Sequence, residues 1–146
     1  CLIDLGCRVN ELLNLEKRFV DFENNQINFN DRKNDQAVAV PMTDKVRKII
    51  KKYFYHSGRP TEKLFNGASY SWLNAIWQKA RKELGYDKEK YYTIHLCRHT
   101  CASRLVQRGV PILLVKDWLG HEDIENTMIY AHLQPKALHS YVEVLN

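Results

Sequence analysis

The 146-residue sequence lacks the features of several protein classes. It has no apolar run near the roughly 18 residues that cross a bilayer. It has no basic-then-apolar leader either, so it predicts neither a membrane span nor a secretory signal. Its four cysteines include no C-x-x-C pair, which favours reduced thiols over a disulfide framework. It also contains no internal repeat and no low-complexity segment.

The composition that remains is that of a folded domain. Apolar residues make up 45% of the chain and charged residues 27%, which are ordinary values for a globular protein. A length of 146 residues fits one domain, 1–146, with enough chain to bury a core. The net charge of +5 is compatible with a polyanionic partner but does not identify one.

Turn and cap residues divide the chain into one small sheet and a set of helices. Apolar residues at helical spacing predict that a helix beginning near residue 1 ends near residue 15 and carries Arg8 inside it. An Asn-Asn pair and Pro41 bound short β-type runs, which predict a three-stranded antiparallel meander over residues 18–40. We therefore expect a mainly α fold with a small three-stranded antiparallel sheet (α+β). The helices expected after the sheet cover residues 44–54, 70–84, 94–108, 111–119, 125–133 and 135–145. The expected N-caps of the first two are Thr43 and either Ser69 or Ser71.

The stretch TIHLCRHTC, residues 93–101, invites a metal-site interpretation. On a helix, His95 and His99 share one face and Cys97 and Cys101 another, and an offset of two positions separates the pairs by about 200°. All four side chains therefore cannot converge on one zinc ion. A two-ligand site completed from elsewhere and a role as small core residues both stay open for the cysteines.

A second interpretation of the same stretch concerns an anion. His95 and Arg98 lie three residues apart, so their side chains share a face near the start of the predicted helix. The unpaired N–H groups and positive dipole end of a helix favour an anion, and a guanidinium forms paired hydrogen bonds with phosphate. The alternative is a surface arginine beside a histidine that caps the helix.

Three further polar residues stand out. Arg8 lies in an apolar stretch with Glu11 three residues later, where the two side chains can pair. His121 directly follows Gly120, at a predicted helix end. Tyr130 lies in the apolar run MIYAHL, a setting in which most tyrosines are core residues.

Together these residues resemble the catalytic domain of the tyrosine recombinases, the phage-integrase family. The first arginine box of that family, G-x-R-x-x-E-L, is similar to GCRVNEL. The second, H-x-L-R-H, is similar to HLCRH, with Cys97 in place of the usual leucine. The family also has a G-H pair followed nine residues later by the nucleophilic tyrosine, and LGH with TMIYAHL is similar to this pattern. The family lysine lies in a β-hairpin turn, and DRKNDQAVAVP has a lysine in a similar place. The resemblance covers nearly the whole chain, and the site residues that it implies are Arg8, Lys33, His95, Arg98, His121 and Tyr130.

The resemblance implies site-specific DNA recombination by transesterification, with no cofactor and no metal. Tyr130 would attack a scissile phosphodiester, leaving a 3′-phosphotyrosyl link and a free 5′-hydroxyl. The 5′-hydroxyl of a second strand would then displace the tyrosine. Arg8 and Arg98 would clamp the phosphate, and His121 would add a further hydrogen bond to it. His95 would be the general base, and Lys33, on a flexible hairpin turn, would be the general acid.

The resemblance also implies partners and a setting. The partner would be double-stranded DNA, bound by a homo-oligomer, a tetramer on DNA, with no membrane contact. The C-terminal helix, 135–145, would be exchanged between protomers or fold back on its own chain. The protein would be bacterial or phage-encoded, cytoplasmic and nucleoid-associated, and would serve a mobile element. The family usually carries an N-terminal DNA-gripping domain, so we expect the chain to be the catalytic piece of a longer protein and to bind DNA weakly alone.

Two other functions stay open. A type IB topoisomerase uses the same tyrosine, arginine, lysine and histidine chemistry but religates the same strands. A DNA-binding module without catalysis would have no need of Tyr130. His99 is expected to have a supporting hydrogen-bond role. Basic residues on the predicted helices are either contacts to the DNA backbone or solvated faces, namely Arg47, Lys48, Lys51, Lys52, Lys79, Arg81 and Lys82.

Overall fold

The computed structural model describes residues 1–30, 37–55 and 59–135. The chain divides into two compact units, Cys1–Cys101 and Ala102–Asn146. Their elements confirm the mainly α architecture with one three-stranded antiparallel sheet. Within the described ranges, no helix is long and apolar enough to cross a membrane.

Two short helices, α1 (Leu2–Leu5) and α2 (Val9–Leu13), begin the first unit. The single helix expected up to residue 15 is therefore wrong. Gly6 separates the two helices in the left-handed conformation, with φ 68°, which glycine adopts at little cost because it has no Cβ. Arg8 is then extended, with φ −71° and ψ 149°, and is the N-cap of α2 rather than an interior helix residue.

The sheet lies where the turn residues of the sequence predict it. Its strands, in the antiparallel order β1-β2-β3, are β1 (Val20–Asp21), β2 (Gln26–Asn30) and β3 (Ala37–Pro41). Asn25 has a φ of 55° in the turn between β1 and β2, a conformation that asparagine tolerates better than most residues. The cross-strand row Val20, Ile27 and Val40 is buried. Residues 31–36 between β2 and β3, where the sequence predicts a turn that carries Lys33, lie outside the described residues.

Helix α3 (Asp44–Ile49) continues into one π-helical turn (Ile50–Phe54). The expected N-cap is confirmed, since the Val46 N–H donates to the Thr43 hydroxyl at 3.2 Å. Nη1 of Arg47 donates to the carbonyl of Phe22 at 2.7 Å. This candidate contact to DNA is therefore engaged within the fold, where it ties α3 to the turn after β1.

Helix α4 (Tyr70–Glu83) begins after Ser69, one of the two caps that the sequence left open. The loop after α4 is held against this helix. The guanidinium of Arg81 donates to the carbonyls of Tyr86 (3.0 Å) and Asp87 (3.2 Å). Nε1–H of Trp77 donates to the carbonyl of Tyr92 (2.7 Å), just before the segment that carries His95. Arg81, a second candidate DNA contact, is thus also engaged within the fold.

Helix α5 (Leu96–Gln107) begins two residues later than expected. The first N–H groups bond three residues back, from Leu96 to the Thr93 carbonyl and from Cys97 to the Ile94 carbonyl, both at 3.0 Å. This 3₁₀-like start is common at helix ends. Gly109, with φ 81°, ends the helix where the sequence predicts.

The second unit contains α6 (Ile112–Leu119), α7 (Glu125–Met128) and a 3₁₀ turn (Ala131–Leu133). Gly120, with φ 64°, ends α6 as expected. The single helix expected over residues 125–133 is interrupted at Ile129 and Tyr130. The helix expected over residues 135–145 lies outside the described residues from residue 136 on. The core of the unit is the cluster Ala102, Val106, Val115, Leu119 and Tyr130.

Candidate active site

In the first unit, Arg98 lies in the first turn of α5 and is only 4% exposed. Its Nη1 donates to the carbonyl of Gly6 at 2.8 Å, across 92 positions of sequence. A buried guanidinium needs acceptors for its N–H groups, because desolvating an unpaired charge is costly. The left-handed turn at Gly6 supplies one such acceptor. The second arginine box is thereby joined to the turn that precedes Arg8.

Arg8 has the orienting neighbour that the sequence predicts. Its backbone N–H donates to Oε2 of Glu11 and its Nη1 donates to Oε1, both at 2.7 Å. The first bond is one half of a capping box, which arginine cannot complete because it has no acceptor. The side chain of Arg8 is 50% exposed, so the ion pair stabilises the fold by no more than about 1 kcal/mol. The main effect of this ion pair is to orient the guanidinium of Arg8, which a ligand in solvent can reach.

His95 lies close enough to Arg8 and Arg98 for their positive charges to act on it. Its ring meets that of His99 edge to face, with centroids 5.0 Å apart and planes at 85°. Burial lowers the pKa of His95 below its usual value, and His99, Arg98 and Arg8 lower the pKa further. His95 is therefore a neutral imidazole at pH 7 and can accept a proton, as a general base must.

The cysteines of the first unit act as packing groups. Burial, with a smaller contribution from Glu11, raises the pKa of Cys7 to about 12, and burial also raises the pKa of Cys97. Such thiols stay protonated at neutral pH and are poor metal ligands. Cys101 is a buried core residue, one of the two interpretations that the sequence left open, whereas Cys97 is only partly buried. Among the described residues, no three His, Cys, Asp or Glu side chains are grouped as metal ligands.

In the second unit, His121 lies just after the left-handed Gly120 that ends α6. Its Nδ1 is 2.8 Å from the hydroxyl of Thr127, which is completely buried. The contact fixes one ring nitrogen of His121 within the protein.

Tyr130 is a core residue, as its apolar setting in the sequence indicates. Its side chain is 6% exposed and belongs to the core cluster of the second unit. It lies between α7 and the following 3₁₀ turn, and its N–H donates to the carbonyl of Thr127 at 3.0 Å. The core interpretation is therefore correct for the ring, and the role of the hydroxyl as a nucleophile stays a prediction.

Two features of the site were missed from sequence. Thr127 received no role, although a threonine three residues before a candidate nucleophile in an otherwise apolar run is a polar residue that needs a partner. The carbonyl of Gly6 could not be identified, because only the fold brings it to Arg98. Lys33 lies outside the described residues, so its role stays a prediction.

Each unit supplies groups suited to a different part of phosphoryl transfer. The first holds two guanidiniums beside a neutral imidazole, a set that can bind a phosphate anion and accept a proton. The second holds a phenol and an imidazole, groups that can act as a nucleophile and as a hydrogen-bonding partner of a phosphate.

Comparisons with known proteins point to the same chemistry. The model of the phage integrase family matches residues 1–137. The tyrosine recombinase XerA of Saccharolobus solfataricus is 33% identical over 132 residues, which cover 90% of this chain and 43% of that protein. The chain therefore spans less than half the length of this relative.

Solved structures agree with the fold. The catalytic domain of the integrase of bacteriophage HP1 is 30% identical, with a TM-score of 0.74 over 97% of this chain and 76% of that one. The XerH recombinase, solved bound to its difH substrate, has a TM-score of 0.75 at 23% identity and covers 99% of this chain and 45% of that one. With its family match over residues 1–137, the chain belongs to the phage integrase family, whose members include the tyrosine recombinases.

Proposed function

We propose that this chain cuts and rejoins double-stranded DNA as the catalytic domain of a site-specific tyrosine recombinase that serves the integration or recombination of a mobile element. The observation that carries the proposal is the cluster of Arg8, His95 and Arg98, which combines an exposed guanidinium, a neutral imidazole and a buried guanidinium. Membership of the phage integrase family supports the DNA substrate.

The proposed reaction is a balanced exchange of phosphoester bonds. The phenolic oxygen of Tyr130 attacks the phosphorus, the bond to the 5′-oxygen breaks, and a 3′-phosphotyrosyl link forms. His95 takes the proton of the phenol, whose ordinary pKa of about 10 leaves little phenolate at pH 7. The departing 5′-oxygen takes a proton from Lys33. A 5′-hydroxyl of another strand then reverses the step, so the number of bonds is unchanged.

Arg8 and Arg98 supply the positive charge that this transfer requires. Phosphoryl transfer is catalysed mainly by positioning and by stabilising charge on the non-bridging oxygens. A buried guanidinium such as Arg98 holds its charge in place before the reaction, which makes the interaction stronger than it would be in water. His121 adds a further hydrogen bond to the phosphate.

The test is trapping of the covalent intermediate. The protein at its full natural length is mixed with nicked suicide duplexes of randomised sequence, and adducts that resist SDS are isolated and their DNA is sequenced. We expect adducts enriched in one sequence, with or without EDTA. Adducts that form only with a divalent metal would contradict the proposed clamp. Joining to a second labelled duplex indicates a recombinase, whereas exclusive religation of the original strand indicates a topoisomerase.

Lys33 is proposed as the general acid that protonates the departing 5′-oxygen. If so, Lys33→Ala should cleave poorly on an ordinary substrate and recover when the bridging 5′-oxygen is replaced by sulfur, because a thiolate leaves without a proton. Equal cleavage of the ordinary substrate by Lys33→Ala and the wild type would remove this residue from the mechanism.

The neutral state of His95 predicts the pH dependence of cleavage. The general base is active when unprotonated, and the pKa of His95 is lowered by burial, His99, Arg98 and Arg8. The acidic midpoint of the single-turnover rate should therefore lie below the ordinary histidine pKa of about 6.5. His99→Phe retains an aromatic ring but removes one lowering charge, so its midpoint should lie above that of the wild type. A wild-type midpoint above the ordinary value would contradict this role.

We propose a homo-oligomer, a tetramer on DNA, in which the segment from residue 136 packs on a neighbouring protomer. The second unit exposes several apolar side chains that such packing could cover, namely Leu113, Leu114, Met128 and Ile129. Analytical ultracentrifugation of the trapped DNA complex measures the number of protomers, and a complex of one protomer per site would count against assembly.

We infer that the protein acts in the DNA-containing cytoplasm and at the nucleoid, which imaging of the tagged protein tests.

A further inference from the structure

Thr127 makes contacts with both candidate active-site residues of the second unit. Its hydroxyl oxygen is 2.8 Å from Nδ1 of His121. Its carbonyl accepts the N–H of Tyr130 at 3.0 Å, and its own N–H donates to the carbonyl of Ile124 at 2.8 Å. The residue is 0% exposed, so water does not compete for its hydroxyl.

The chemistry of the partner at Nδ1 decides what Nε2 can do. A neutral imidazole carries one N–H, and the oxygens of a phosphodiester only accept hydrogen bonds. A carbonyl or carboxylate at Nδ1 would require the proton there, which would leave Nε2 as an acceptor facing another acceptor. A hydroxyl can donate to Nδ1 instead, and the proton then resides on Nε2.

The hydroxyl has a second advantage over a partner that only donates. If His121 becomes doubly protonated, Nδ1 turns into a donor and the Thr127 hydroxyl can rotate to accept from it. Nε2 keeps its N–H in both protonation states. The Thr127–His121 pair can therefore offer a hydrogen bond to a phosphate whether or not the imidazole is charged.

We infer that Thr127 is a positioning residue of the strand-transfer reaction: its hydroxyl makes Nε2–H of His121 the donor to the scissile phosphate, and its carbonyl holds the backbone of Tyr130. The inference rests on the proposed function for the identity of the phosphate. The pairing itself stands on the contacts of Thr127 alone. Because one buried residue contacts both, a change at its hydroxyl should disturb His121 while the backbone bond to Tyr130 is kept.

The test uses two readouts on the full-length protein. Long-range ¹H–¹⁵N correlation spectra of histidine-labelled protein at pH 7.5 identify which nitrogen of His121 carries the proton, and single-turnover trapping on a suicide duplex measures cleavage. In the wild type we expect the proton on Nε2. Thr127→Val keeps the shape of the side chain without the hydroxyl, and should give mixed tautomers and cleavage at least about tenfold slower, a loss equivalent to about 1.4 kcal/mol.

Thr127→Ser restores the hydroxyl and should recover both the tautomer and cleavage to within about threefold of the wild type. Thr100→Val is the matched control, because the Thr100 hydroxyl bonds only the carbonyl of Leu96 among the partners identified, at 2.8 Å on α5. It should leave His121 and cleavage unchanged.

The outcomes separate the inference from the proposed function. A wild-type His121 with its proton on Nδ1 overturns the inference without any variant, as does a Thr127→Val protein with unchanged tautomer and rate. A wild type that forms no adduct overturns the proposed function, and with it the catalytic part of the inference. If its His121 still depends on the Thr127 hydroxyl, the positioning part is upheld.

Discussion

Replacing Tyr130 by phenylalanine should abolish the covalent protein–DNA adduct while leaving the fold intact. The change removes only the hydroxyl that would attack the phosphate, and phenylalanine has no oxygen with which to form the phosphoester bond. The ring remains in the core cluster of the second unit, where Tyr130 is 6% exposed. Tyr130→Phe should therefore stay folded and lose less stability than truncation to alanine, which would cost about 3–5 kcal/mol by opening a cavity.

The control for this prediction is another tyrosine. Tyr91 is 87% exposed and close in sequence to the second arginine box, so Tyr91→Phe should form adducts at the wild-type rate. SDS gels of trapped complexes measure both variants. If the adduct persists in Tyr130→Phe, the nucleophile has been misassigned and the proposed mechanism is wrong.

Replacing Arg98 should cause the next largest loss. Removing one preorganised donor to the charge of a transition state typically costs about 10²–10³ in rate. Arg98→Lys keeps a positive charge but loses the planar fork that bonds two oxygens at once. We therefore expect both Arg98→Ala and Arg98→Lys to reduce single-turnover cleavage by at least about a hundredfold.

The burial of Arg98 requires a stability control. Its Nη1 bonds the Gly6 carbonyl at 2.8 Å, so truncation leaves a buried acceptor without that partner and should lower the thermal midpoint. Arg98→Lys can still place a donor near this carbonyl and should melt closer to the wild type. Arg104→Lys, at an exposed position of the same helix, should cleave normally. Normal cleavage by Arg98→Lys would show that charge alone is sufficient there.

Local chemistry explains why many elements could be predicted. Thr43 and Ser69 were identified as helix caps because a hydroxyl satisfies N–H groups that every helix start leaves unpaired. Gly109 and Gly120 mark helix ends because only glycine enters the left-handed region at little cost. The Asn-Asn turn likewise allowed the antiparallel pairing of β1 with β2 to be predicted.

The helix bounds that proved wrong followed from apolar spacing alone. Apolar spacing alone predicted a continuous N-terminal helix, but Gly6 breaks it and makes Arg8 an N-cap. Arg47 and Arg81 stay candidate DNA contacts, and the structure adds that each also bonds carbonyls of a neighbouring turn. No sequence pattern reports which carbonyl a long side chain will reach.

The sequence by itself was enough to recognise the family and the candidate residues, because the boxes around Arg8, Arg98 and Tyr130 resemble those of the phage integrase family. Tertiary structure decided how those residues are held. It joined Arg98 to the Gly6 carbonyl, buried the ring of Tyr130 and paired His121 with Thr127. The physical reason is that spacing encodes local geometry, whereas hydrogen-bond partners and burial depend on which distant segments pack together.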